Sequence, residues 1–312
     1  MNYNENKRTT IKQRILQAAK WAWIFLVLLG AGYYFYQRKT EVLELIQTIS
    51  LPQILISALL LLLGELFIAL LIHFSIRAEG FHQPFIKTVG LYGTTALGKY
   101  IPGGVWHFLG RIGIYKLNNL SNKQIMRAFI LENYWLLSSA LFVGLESVCL
   151  FRFELIVKYL QIPNLFWVRT IICTAVFALW VISLWILHIY INKYTKEQVQ
   201  QLWIIVLVGI TLWVTVGLSF YVLFPKQEFQ QAGIYIGGYS LSWAVGYIAV
   251  FAPGGIGIRE SVLALVFSNI MPVTTMAVYS TMNRIIWLTA ELIYGLVGFI
   301  QKRGVFPAKT RE

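Results

Sequence analysis

The chain has 312 residues, with 26 Lys and Arg against 13 acids, a formal net charge of +13. It is 58% hydrophobic, 15% aromatic and only 12% charged, where an ordinary soluble domain is about 25% charged. That balance excludes a soluble globular domain, a disordered chain and a disulfide scaffold, and points to an all-α polytopic membrane protein.

Residues 1–20 are a basic segment expected on the cytoplasmic side, with Lys7, Arg8, Lys12, Arg14 and Lys20 against Glu5. The apolar run from Trp21 to about Tyr36 has aromatic residues at both ends and no small-residue cleavage site after it, so an uncleaved first span is expected. Five further runs reach spanning length: Leu51–Phe74, Ile125–Phe151, Trp167–Ile191, Leu202–Phe224 and Thr274–Ile300. Residues 87–112 and 233–270 are apolar but interrupted in mid-run, at Pro102-Gly103-Gly104 and at Pro253-Gly254-Gly255. Residues 301–312 are a second basic tail, so 21–300 forms one transmembrane domain.

Orientation follows from the basic residues. With the N-terminus cytoplasmic and both interrupted regions read as re-entrant hairpins, 17 Lys and Arg fall on the cytoplasmic side and 6 outside. This bias places a multi-pass protein in the cell membrane with both termini cytoplasmic. A full crossing at the first interruption would move the basic stretch Arg111–Arg127 outside. The two prolines lie 151 residues apart, a basic residue follows each (Arg111, Arg259), and a charged residue occupies the next span at matching distance (Glu132, Arg284). These spacings predict six full spans and two hairpins in an inverted repeat, with pseudo-repeats at about 51–151 and 202–300.

A Pro-Gly-Gly break frees backbone groups that hydrocarbon cannot satisfy, so it survives only against protein or a wet cavity. A helix restarting there points N–H groups and the positive end of its dipole into that cavity. Lys99, Tyr100, Trp106, His107 and Arg111 flank the first break, and Gly257, Arg259 and Glu260 follow the second. The expected ligand is an anionic headgroup, particularly a phosphate. Other charges within apolar runs are Glu65, Glu132, Glu146, Arg284 and Glu291. Each costs about 2.5–3.5 kcal/mol at a helix centre and is expected to face the bundle interior and pair. Glu132, Arg284 and Glu291 form the expected internal network, with Glu132–Arg284 the first pair to test. Glu65 and Glu146 fit a structural hydrogen bond as well as a pathway role.

No metal, cofactor or nucleic acid is expected. The four His are dispersed, no Walker lysine or preceding strand accompanies the glycines, and the charge suits anionic lipid surfaces. All 13 acids are Glu, which excludes Asp-based nucleophiles and triads, and no nucleophile–base pair stands at a recognisable spacing. An enzyme is therefore not expected. Cys149 and Cys173 lie in apolar runs and read as small buried hydrophobes.

The two motifs together, Lys99–Trp106 through Gly110-Arg111 and Pro253–Glu260, resemble the lysylphosphatidylglycerol synthase transmembrane-region family of flippase-like membrane proteins. The resemblance runs from about the first span to Ile300, and Glu132 and Arg284 match charged positions of the family's spans. It implies translocation of an anionic phospholipid or lipid-linked saccharide between leaflets. The sequence runs only about ten residues past the last expected span, so the soluble synthase domain of the bifunctional relatives is not expected and aminoacyl transfer is not assigned. The alternative is a non-transporting accessory subunit that docks a glycosyltransferase or lipid-modifying enzyme at the membrane.

Overall fold

The structure, a computed structural model, describes residues 22, 25, 29–30, 32–100, 106–192, 202–225, 229–249 and 252–301. All regular structure among them is helical. Five helices are long and apolar enough to cross a membrane. They are α2 (Leu51–Ala78), α5 (Asn122–Phe151), α7 (Phe166–Asn192), α8 (Leu202–Val222) and α11 (Val273–Ile300). They match the five later apolar runs to within a turn at each end. Most of the first run, Trp21–Tyr36, lies outside the described residues, although residues 32–37 are helical.

The helix ends follow local chemistry. Ser121 begins α5 by accepting from the Gln124 N–H, while the Gln124 side chain accepts from the Ser121 N–H. Ser50 and Gln53 repeat half of that arrangement at the start of α2, with Pro52 in the first turn, where its missing N–H costs nothing. Two short helices at the ends of spans were not foreseen: α1 (Lys39–Gln47) and α6 (Phe153–Leu160).

Both interrupted regions are antiparallel hairpins. In the first, α3 (Phe85–Ala96) runs into a 3-10 turn, Leu97–Tyr100, and α4 (Trp106–Leu117) returns beside it. A Cβ on Gly98 would meet the His107 backbone and one on Gly110 the Thr95 side chain, which fixes the register of the two arms. Twelve residues of helix rise only about 18 Å, short of the ~30 Å hydrocarbon core. In the second, α9 (Ala232–Ile248) and α10 (Ile258–Val266) flank a 3-10 turn at Pro253–Gly255. Here Gly246 faces Arg259, and Gly238 faces Val266 and Phe267. The two 3-10 turns pack against each other.

The main contacts are reciprocal. α2 packs on α8; α3 packs on α11 while α9 packs on α5; α2 also meets α11 while α8 meets α5. Small residues allow the close crossings. A Cβ on Gly93 would fall 2.0 Å from the Tyr294 carbonyl oxygen, and one on Gly237 1.9 Å from Ser147 Cβ. Between membrane helices, where apolar surface has no preference for helix over lipid, such backbone approach supplies packing contact. Polar ties reinforce it: Trp213 Nε1 donates to Ser139 Oγ at 3.0 Å, and Tyr294 Oη donates to the Leu62 carbonyl at 2.8 Å. α7 lies at the periphery, with most of its apolar side chains exposed.

Candidate functional site

Lys99, Arg259, Glu260, Arg284 and Glu291 gather around the two turns, Glu146 stands apart beside Cys149, and the pairing differs from expectation. Arg111 on α4 is 4% exposed and its guanidinium bonds Glu132 on α5, also 4% exposed. Arg111 Nε points to Thr95 Oγ1 at 3.3 Å. Arg284 on α11 lies 3.1 Å from Glu260 on α10. The expected Glu132–Arg284 pair therefore does not form. Each residue instead takes a partner from the hairpin that precedes its own span, Glu132 from α4 and Arg284 from α10. Arg111, expected to hold a headgroup, is committed to an internal carboxylate.

Lys99, at the end of the first turn, bonds Glu291 on α11. Its ammonium also lies over two aromatic rings, 5.2 Å from Tyr100 and 5.7 Å from Trp287. Trp287 Nε1 donates to the same Glu291 oxygen at 2.7 Å. The sequence signal for Trp287 is its place one helical turn before Glu291. Arg284 and Glu291, two turns apart on α11, each pair with a half-buried residue of a neighbouring element, Glu260 and Lys99.

The second break has the backbone that its glycines permit. Gly254, Gly255 and Gly257 have φ of +61°, +70° and +85°, where a Cβ would be strained. The start of α10 is already capped from within. Glu260 Oε2 accepts from the Gly257 N–H at 2.8 Å. The anion expected at this helix N-terminus is therefore the protein's own carboxylate, and Glu260 acts as cap and as Arg284 counter-ion.

Arg259 differs from the other site cations. Among the described residues it has no carboxylate within ion-pair distance and its Nε has no hydrogen-bond partner. Its guanidinium carbon lies 5.8 Å from the centroid of Trp243, which stacks on Tyr247 with centroids 4.8 Å apart. Two glycines make room for its stem: a Cβ on Gly246 would fall 2.6 Å from Arg259 Cγ, and one on Gly255 3.0 Å from Nε. Trp243 was not singled out in the sequence, because a lone Trp in an apolar helix carries no signal there.

Pro102, Gly103 and Gly104 lie outside the described residues, as does the side chain of Pro253. Tyr100 and Trp106, on either side of 101–105, are each 49% exposed. The His107 ring rests on Phe108, and its Nδ1 is buried without a hydrogen-bond partner. Compared with protein-family models and with curated proteins, the chain has no match.

Proposed function

We propose that this is a membrane transporter that moves an anionic amphiphile, a phospholipid or a lipid-linked saccharide, between leaflets. The observation that carries this reading is Arg259. A cation at a backbone break, cleared of Cβ atoms by Gly246 and Gly255 and without a carboxylate among the described residues, has an unfilled need for an anion. Lys99, Tyr100 and Trp106 extend the polar surface toward the first break. The acyl chains stay in the bilayer, so only the headgroup needs a polar route.

The reciprocal packing of α2, α3 and α5 with α8, α11 and α9 supports an inverted repeat with two re-entrant hairpins, the plan on which alternating access is built. With a first span at Trp21–Tyr36 the count is six, and the 17-against-6 bias of basic residues puts both termini in the cytoplasm. The motif resemblance to the lysylphosphatidylglycerol synthase transmembrane-region family points the same way.

One observation favours the accessory-subunit reading: Arg111–Glu132 is closed and neutralised, as in a core packed shut. Proteoliposomes separate the two. With a fluorescent anionic phospholipid in the inner leaflet, the wild-type protein should equilibrate the leaflets faster than protein-free vesicles, and Arg259→Ala should lose that gain. Equal rates for wild type and Arg259→Ala would refute the site, and no gain by either would favour the accessory role.

A further inference from the structure

Glu65 is a fully buried charged residue that neither the ion pairs nor the headgroup site uses. It lies on α2, is 0% exposed, and neither carboxylate oxygen has a hydrogen-bond partner among the described residues. Glu291, close enough to interact with it electrostatically, leaves its own Oε2 without a partner. Three buried carboxylate oxygens thus share the neighbourhood of one ammonium, Lys99, which bonds the fourth. Such an arrangement is one positive charge short.

The groups facing Glu65 can be named element by element. Glu291 and Tyr294 come from α11, Tyr92 from α3, and Lys99 and Tyr100 from the turn that follows. The α8 helix, which packs along α2, carries no ionisable side chain except Tyr221. The acid nearest the middle of α5, Glu132, is held by Arg111. A hard metal cation would need a shell of about six oxygens. Here the Lys99 ammonium, which faces Glu65 and bonds Glu291, repels a second cation. A proton needs one oxygen and no shell.

We propose that Glu65 is a proton-binding site and that its occupancy is coupled to anion binding at Arg259. The coupling is electrostatic and rests on the transport reading above. Lys99, on the first turn, bonds Glu291 beside Glu65, and that turn packs against the second, which leads into Arg259 and the Glu260–Arg284 pair, so these charges are neighbours. The cluster holds three cations, Lys99, Arg259 and Arg284, and three acids, Glu65, Glu260 and Glu291. With Glu65 ionised the cluster is neutral; with a proton on Glu65 it carries one positive charge and attracts one anion. By linkage, the anion holds the proton equally. The proton enters from water on one side, resides on a Glu65 oxygen while the anion is bound, and leaves to water when the anion is released.

Infrared difference spectroscopy of the reconstituted protein tests the site, and leaflet equilibration at several pH values tests the coupling. The wild type should show the carbonyl stretch of a protonated carboxylic acid that Glu65→Gln lacks. Glu65→Asp should retain such a band at a shifted frequency, and amide bands should confirm that both variants fold. The wild-type equilibration rate of an anionic phospholipid should fall by up to about tenfold per pH unit on the alkaline side, the slope of one proton. Glu65→Gln, a fixed mimic of the protonated form, should be flat. Identical carboxylic-acid bands in wild type and Glu65→Gln would overturn the proton site. Sodium dependence that disappears in Glu65→Gln would overturn it in favour of a metal ion. A flat wild-type profile would overturn the coupling. A band specific to Glu65 without any lipid movement would leave the proton site standing and remove the transport reading.

Discussion

Replacing Glu132 by Leu should be among the most damaging single changes in the protein, and replacing Arg111 as well should largely repair it. Both side chains are 4% exposed, so neither charge is solvated once its partner is gone. In the single variant Arg111 would keep only Thr95 Oγ1, at a distance of 3.3 Å that is long for a hydrogen bond. Breaking a buried pair from one side costs about 3–5 kcal/mol, two to three and a half decades in the folded-to-unfolded ratio. Arg111→Met with Glu132→Leu removes both charges and fills similar volume, so it should fall within about 1 kcal/mol of wild type or above it. Unfolding equilibria in mixed micelles, read by steric trapping, would give the double-mutant cycle. A Glu132→Leu cost below about 1 kcal/mol, or a double variant as unstable as the single, would refute the argument. The same double variant should still equilibrate lipid if Arg111 is structural, and should be inactive if Arg111 holds the headgroup.

Two further expectations concern packing. Gly93→Ala should cost about 1–3 kcal/mol, because its Cβ would meet the Tyr294 backbone at 2.0 Å and force α3 off α11. Gly113→Ala, in the exposed middle of α4 with nothing within 4 Å, should instead gain about 0.5–1 kcal/mol; equal effects in the same micelle assay would contradict the close approach at Gly93. Cys149 on α5 and Cys173 on α7 lie close enough to interact, and both are free thiols. A mild membrane-permeant oxidant should therefore cross-link α5 to α7 within one chain, read as loss of mass-tag labelling at both. Persistent labelling would mean that α7 packs elsewhere.

Composition and run length were enough to specify a helical membrane protein and the extent of its later spans. A helix of 21–30 residues without exposed backbone is the only local solution that hydrocarbon allows, and it needs no knowledge of neighbours. The glycines of the second break were legible for the same local reason, since φ at Gly254, Gly255 and Gly257 belongs to the chain itself. Pairing was not local. Whether Arg111 meets a headgroup or Glu132, and whether Arg284 meets Glu132 or Glu260, depends on which helices lie side by side. Spacing along the chain gave related positions without distances. Tertiary packing alone distinguished Arg259, which among the described residues has no carboxylate within ion-pair distance, from cations that look the same in sequence, and left Glu65 buried without a donor among them. Charge balance in a low-dielectric interior is set by neighbours a few ångströms away in space, most of them far away in sequence.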